Sequence, residues 1–469
     1  MWALFRLARA TFLFGRIFLS YITQLWLSRL RGPEAVRERW KRVHAINAKR
    51  LYHGMVTLRG VFIKLGQILS VMGTFLPRVY ALELEKLQDQ VPPQPIDVIE
   101  GAITESLGQP TAKLYASFDR KALAAASLGQ VHRATLHSGE QVAVKILYPN
   151  VATIIKIDLV VMGWAIRVLK HWFPGQILDK VREQLRDLLG RETDYRHEAR
   201  CMARMASNFA GHPDVLFPRT YPELSSERVL TMTFMEGVKI SRKQELEALG
   251  LDPYAVAKVL VEAFYKQVFV DGFFHADPHP GNFLVQRGDK GPKVVVLDFG
   301  AATPCPKHLI DGMIDVLKGL FGRDDKLVVK GIHTMGFVAA DGNVELLERT
   351  VRIYFQKLLA LDIQDFGRIK PEVAASLADP GLERDELRDL MKSVAYPDGW
   401  FYVERAVVIL FGLSAQLAPK MNTVQVGFPY IMRVMAARQA EADAAARAPR
   451  SVGGTSGTHQ AVAAAPLSA

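Results

Sequence analysis

HADPHPGN (residues 275–282) and VVVLDFG (residues 294–300) stand a short linker apart, and together they decide how this 469-residue chain is read. The first puts Asp277 five residues ahead of Asn282, in a proline-rich loop that follows an apolar run. The second is an apolar run that ends on Asp298, with Gly300 free to turn sharply beside it. An aspartate in such a loop can orient or deprotonate an attacking hydroxyl or water, and an asparagine five residues on offers its carbonyl oxygen to a divalent ion. A carboxylate on the loop after a buried strand adds a hard oxygen ligand of the kind Mg²⁺ takes when it bridges phosphates. DFG alone is a common turn sequence. Asp277 and Asn282 alone would pass as caps of proline turns. The pairing favours phosphoryl chemistry.

Phosphates also need a fixed cation. Residues 131–136 and 141–147 flank His137-Ser138-Gly139-Glu140, the pattern of a hairpin, and VAVK puts Lys145 on its second arm. A lysine there can reach α- and β-phosphates while its strand neighbours stay buried. It needs an acidic anchor, and RETDYRHEAR (191–200) offers Glu192 and Glu198, with Asp194 as a third acid. Ahead of the hairpin, protein kinases carry three glycines as GxGxxGxV. Here the positions counted back from Val131 are Gly129, Ala126 and Ala124, so only the last glycine is present. Alanine restricts φ, so this loop is stiffer, although its N–H groups can still cradle phosphate.

Composition sets the frame. A chain of this length exceeds what one core usually supports, so two or more lobes are expected. Lysine and arginine total 59 against 48 acidic residues, a formal charge of +11. That balance suits an anionic membrane surface. It does not suggest nucleic acid, because no aromatic-basic interleaving recurs on the strands. The two cysteines, Cys201 and Cys305, give neither metal spacing nor a disulfide framework, which fits a reducing compartment. The first 33 residues are apolar but broken by Arg6, Arg9, Arg16 and Arg29, and their longest clean stretch, 17–27, is too short to span a bilayer. Trp2, Phe5, Phe12, Phe18 and Trp26 suit an interfacial helix, with packing on the protein's own surface as the competing reading.

Along the chain, the pattern predicts an amphipathic membrane-interacting segment (1–33), a helical region (34–114), a mixed lobe with a helical insertion (115–238), a helical lobe (239–436) and a disordered Ala- and Gly-rich tail (437–469). Within the second region, Lys64 and Gln67 lie three residues apart on an otherwise apolar helix, and a lysine buried there needs an acid or a phosphate.

The chain resembles the UbiB/AarF-type atypical protein-kinase-like family, also called the ADCK family. The matching stretches are KLGQ (64–67), LEKLQDQVPP (84–93), AAASLGQVHRA (124–134), VAVK (142–145), ETDYRHEA (192–199), FFHADPHPGNFLV (273–285) and VVVLDFG (294–300). The resemblance implies an α+β, bilobal protein-kinase-like fold with a family-specific N-terminal helical extension across the cleft. It implies that Lys145 contacts nucleotide phosphates and that Glu192 pairs with it. Asp277 would be the catalytic-loop aspartate, and Asn282 and Asp298 the Mg²⁺ ligands. Ala124, Ala125, Ala126, Ser127, Gly129 and Val131 would form the nucleotide loop. Lys64 and Gln67 would carry the extension's motif where a kinase takes its peptide, anchored by Glu198 and Asp194.

The implied activity is that of an ATP- and Mg²⁺-dependent atypical kinase or ATPase supporting ubiquinone or other isoprenoid-quinone biosynthesis. Its implied setting is the cytoplasmic face of the inner membrane, with an isoprenoid quinone precursor or lipid, and quinone-biosynthesis enzymes, as partners. The alternatives are a nucleotide-gated pseudokinase scaffold and a small-molecule phosphotransferase of the aminoglycoside or choline type. Two departures stand out. No arginine follows Ser70 in Val71, Met72 and Gly73. The usual Pro-Gly after VAVK is Pro149-Asn150, tolerable because asparagine takes positive φ. A pair of C-terminal transmembrane helices is not evident: 407–417 is apolar but short, and 426–435 contains Pro429 and Arg433.

Overall fold

The computed structural model describes residues 2–32, 36–58, 60–71, 78–88, 93–126, 128–169, 182–183, 186, 189–359 and 384–447. Four helices open the chain: α1 (Trp2–Arg31), α2 (Arg37–Leu58), α3 (Val61–Val71) and α4 (Arg78–Glu85). After α5 (Ile96–Leu107) and α6 (Thr111–Leu114), strands β1 (Ser117–Phe118), β2 (Ala124–Ala125), β3 (Gly129–Thr135) and β4 (Gln141–Leu147) lead to helices α7 (Val151–Leu169) and α8 (Tyr195–Asn208). Strands β5 (Val215–Leu216), β6 (Val229–Thr233) and β7 (Val238–Lys239) close this part. The remainder is α9 (Lys243–Ala248), α10 (Pro253–Tyr265), β8 (Phe273–His275), β9 (Phe283–Arg287), β10 (Pro292–Val296), β11 (Ala302–Pro304), α11 (Lys307–Gly322), α12 (Asp325–Met335), α13 (Val344–Leu359), α14 (Arg384–Ser393), α15 (Trp400–Leu417) and α16 (Thr423–Arg447).

The first sheet runs β1-β3-β4-β6, with β2 added to β3. The hairpin read from the sequence is present: β3 and β4 pair antiparallel, with Val131 opposite Lys145, and β6 flanks β4 with Leu230 opposite Lys145. Alternation puts Val142, Val144 and Ile146 on a fully buried face. Lys145 points to the other face, where α8 and the following loops meet it. Asn150 takes φ +63°, the left-handed turn expected after Pro149, and α7 starts directly behind it.

The second sheet, β5-β10-β9-β7, and the two-stranded β8-β11 carry the loops of the opening motif. Helix α10 begins at an Asp252 cap that accepts the Tyr254 N–H at 2.9 Å, followed by proline at the first helical position. It ends in a π-helical turn, Lys266–Val270, a form that recurs near functional sites. From that turn the buried Gln267 accepts the His275 N–H at 2.9 Å, which fixes the strand entering HADPHPGN.

The extension packs on the rest of the protein by a buried seam. Ala10, Leu13, Phe14 and Ile17 of α1 face the core, while Phe12, Leu19, Trp26 and Leu30 face outward. Arg6 is buried and makes two 2.6 Å hydrogen bonds to Asp158 of α7, which is 0% exposed. Tyr21 of α1 meets His44 of α2 and Tyr80 of α4 at 2.8 and 2.5 Å. Internal packing and an outward apolar face therefore coexist on one helix.

By length and composition two helices, Arg6–Arg31 and Trp400–Leu417, are long and apolar enough to cross a membrane. One sequence expectation needs correction. The tail expected to be disordered from residue 437 is helical to Arg447, because alanine is the best helix former and AARQAEADAAAR contains no breaker. Residues beyond 447 lie outside the described part.

Candidate functional site

Lys145 Nζ lies 2.6 Å from Glu198 Oε1 and 3.3 Å from Asp298 Oδ2. The pairing with Glu192 is thus corrected: Glu198 is the partner. The reason is where α8 starts. Asp194 caps it by accepting the Arg196 N–H at 2.9 Å, so Glu198 sits one turn inside the helix, facing β4. Glu192 precedes the helix and instead forms an ion pair with Lys64 of α3. Glu192 therefore anchors the extension, the role expected of Glu198 and Asp194. Asp194 is a helix cap and a partner of Arg200 at 3.5 Å.

Glu198 is 3% exposed and also accepts the Phe299 N–H at 3.4 Å, tying the lysine to the DFG backbone. Burial pushes its carboxyl up to about 7, against the pull of the Lys145 ammonium. Asp298 shares that ammonium but is 44% exposed, and it also accepts the Gly300 N–H at 3.0 Å. Burial would raise its carboxyl, yet Lys145 and His275 bring it down to about 2. Lys145 itself is held above the ordinary lysine range, because Asp298 and Glu198 outweigh its desolvation.

Asn282 and Asp298 are brought together by the β9–β10 hairpin, where Val296 stands opposite Phe283 and the Leu297 N–H donates to the Asn282 backbone oxygen at 3.0 Å. Asn282 Nδ2 donates to the Asp277 backbone oxygen at 3.0 Å, so its amide oxygen is not used in that contact. A neutral amide oxygen and a carboxylate are donor types that a hard divalent cation takes.

Asp277 gave a surprise. Its Oδ2 is ion-paired with Arg405 Nη2 at 2.7 Å, across 128 residues of sequence, and Arg405 is 4% exposed. Burial raises the carboxyl, but Arg405 first and Lys64 next bring it below the usual aspartate value. Arg405 was missed by sequence reasoning. The available signal was a lone arginine inside the apolar run of α15, a position that demands an acidic partner.

The alanine-rich loop is a strand rather than the start of a helix. Ala124 pairs with Val131 and Ala125 with Gln130, and the Ala126 N–H closes a turn on Gly129 at 2.8 Å. A Cβ on Gly129 would meet the backbone oxygen of Ile146, so this glycine serves close strand packing. Ser127 lies outside the described residues. Gln67 is on α3, but its side chain lies outside the described part.

A conserved-domain description matches this arrangement. A family model for the ABC1 atypical kinase-like domain covers residues 86–332. The chain belongs to the ABC1/UbiB-type atypical kinase-like family. It is 31% identical over 425 residues to an uncharacterized protein of Synechocystis sp., sll1770, covering 89% of this chain and 70% of that one. It is 30% identical to Protein ACTIVITY OF BC1 COMPLEX KINASE 8, chloroplastic, of Arabidopsis thaliana, covering 84% of this chain and 54% of that protein, so it spans about half of that relative. Among solved structures, the complex of Rv3197 with erythromycin from Mycobacterium tuberculosis superposes with a TM-score of 0.53 at 24% identity, covering 82% of this chain and 94% of that one. That likeness concerns the fold, which is the mixed α+β kinase-like fold with an N-terminal helical extension.

For a member of this family, the geometry says what the extension does locally. Lys64 reaches from α3 to Glu192, close enough that its charge lowers the carboxyls of both Asp277 and Asp298. The extension thus contributes a cationic side chain that acts on Asp277 and Asp298.

Proposed function

We propose that the chain is an Mg²⁺-dependent ATPase or atypical kinase acting on a small acceptor at a membrane, in support of isoprenoid-quinone biosynthesis. The observation that carries this reading is the convergence of Lys145, Glu198, Asp298, Asn282 and Asp277 from four separate segments. Lys145, steadied by Glu198, suits the α- and β-phosphates, and β2–β3 lies beside it to cover them. Asn282 and Asp298 would hold Mg²⁺, which neutralises phosphate charge when bound. Asp277, kept as a carboxylate by its cationic neighbours, orients water or a hydroxyl toward the γ-phosphate. The family resemblance implies that the extension carrying Lys64 lies where a kinase takes its peptide, and its tie to Glu192 there favours a small acceptor over a protein.

The membrane part of the reading rests on α1, whose outward Phe12, Leu19, Trp26 and Leu30 are accompanied by exposed Arg16, Arg29 and Arg31. Apolar side chains enter the headgroup region while arginines meet anionic lipid. The quinone link is the family's implied role.

The test is ADP release from the purified full chain with Mg-ATP, with and without anionic liposomes and a phenolic quinone precursor, beside Asp298→Asn. Turnover that rises with liposomes and disappears in the variant supports the proposal. Nucleotide binding without turnover in every condition would replace it with a nucleotide-gated scaffold.

A further inference from the structure

We propose that Arg405, on α15 near the C-terminal end of the fold, is the positioning residue of Asp277: it takes one carboxylate oxygen and aims the other at the acceptor. This rests on the reading of Asp277 given above.

Arg405 Nη2 forms an ion pair with Oδ2 at 2.7 Å, and Oδ1 accepts no hydrogen bond among the described residues. The Asn282 amide and the His279 N–H go to the Asp277 backbone oxygen instead, at 3.0 and 2.7 Å. The loop is therefore fixed through its backbone and the carboxylate through Arg405. The two lysines described near this carboxylate are engaged elsewhere. Lys64 is engaged by Glu192, and Lys145 by Glu198 and Asp298.

The energetics argue for function over stability. A guanidinium carries five N–H donors. Here Nε and Nη1 are buried and have no acceptor among the described residues. A buried ion pair seldom repays its desolvation even when all donors are satisfied, so an arginine satisfied only in part is a poor stabilising device. Its neighbours Phe401, Val403 and Ala406 are buried apolar side chains that lock the helix against the lobe. Such packing fixes the guanidinium with the precision a positioning role requires. Arg191, next to Glu192, lies 5.4 Å from the ring of Tyr402 on the same helix, so α15 also touches the segment that receives Lys64.

The test uses Arg405→Met, Arg405→Lys, Asp277→Asn and the Met/Asn double variant of the full chain. Mg-ATP affinity should stay within about threefold in Arg405→Met while kcat falls about 10- to 100-fold. Arg405→Lys should recover part of that loss, since a cation alone restores some of the hold. Independently of turnover, the double variant should unfold at a higher temperature than Asp277→Asn, which strands a buried guanidinium. Equal kcat in Arg405→Met and wild type would overturn the positioning role, and so would a parallel loss of Mg-ATP affinity and kcat. If the double variant shows the thermal coupling but wild type never turns over ATP, the catalytic reading fails and the pair is structural only.

Discussion

The exchange of partners between Glu192 and Glu198 makes a sharp forecast. Glu198→Gln removes the anion that Lys145 contacts at 2.6 Å, in a site where the glutamate is 3% exposed. A hydrogen bond to a charged group is worth about 1.5–3 kcal/mol net. If the pair exists to preorganise Lys145 for phosphate, that energy is lost from nucleotide binding, about 10- to 150-fold in Kd. Glu192→Gln leaves Lys145 untouched and frees Lys64 instead, so Mg-ATP affinity should change by less than about threefold. The assay is titration calorimetry with Mg-ATP on wild type and both variants, with thermal unfolding measured beside it. Equal losses in the two variants, or a larger loss in Glu192→Gln, would refute the assignment of Glu198 to Lys145.

Other consequences can be checked separately. Glu198 binds its proton more tightly in the folded chain, at about 7 against an ordinary 4.5, because burial disfavours its charged form. Its contribution is therefore most favourable at low pH and is lost as pH rises through about 7, so the Tm of wild type should fall relative to that of Glu198→Gln between pH 5 and pH 8; a difference independent of pH contradicts this. Asp158→Ala strands the Arg6 guanidinium and should cost about 3–5 kcal/mol in denaturant unfolding, with earlier proteolytic release of α1. Gly129→Ala forces β3 away from the Ile146 carbonyl and should cost about 1–3 kcal/mol, read as a lower Tm.

The sequence made the chemistry of Lys145, Asp277, Asn282 and Asp298 legible because each lies in a local pattern. A strand carries the lysine, and loops of fixed length place the others. The strand register places Lys145 facing away from Val144 and Ile146, and joins Asn282 to Leu297. The choice between Glu192 and Glu198 is harder, because the stretch 191–200 offers both as acidic anchors. Asp194 was the clue: as an N-cap it starts α8 at Tyr195, which separates the two acids. Arg405 had no local pattern at all. Its meaning depends on α15 folding back onto the catalytic loop, a contact between distant parts of the chain that periodicity does not encode. The helical stretch 437–447 was misread for a different reason: compositional bias toward alanine was taken as disorder, although alanine favours helix when neighbouring turns support it.

Charge balance links these parts. Glu192 answers Lys64, Glu198 answers Lys145 and Asp277 answers Arg405, and the three cations come from the extension, the strand hairpin and a C-terminal helix. Asp298 has only a 3.3 Å share of a lysine already closer to Glu198, and it is the most exposed of the four acids. One negative charge is thus left under-neutralised, on that carboxylate. An electroneutral cleft would have no such opening. A cleft with this residue of charge favours a divalent cation arriving with the nucleotide, and the loss of any one of the three cationic segments would increase the negative charge that incoming phosphates must meet. Asp298→Asn therefore tests more than a ligand. It removes the unbalanced charge while the other three pairs stay in place, so it should weaken the Mg²⁺ dependence of nucleotide binding more than it weakens metal-free binding.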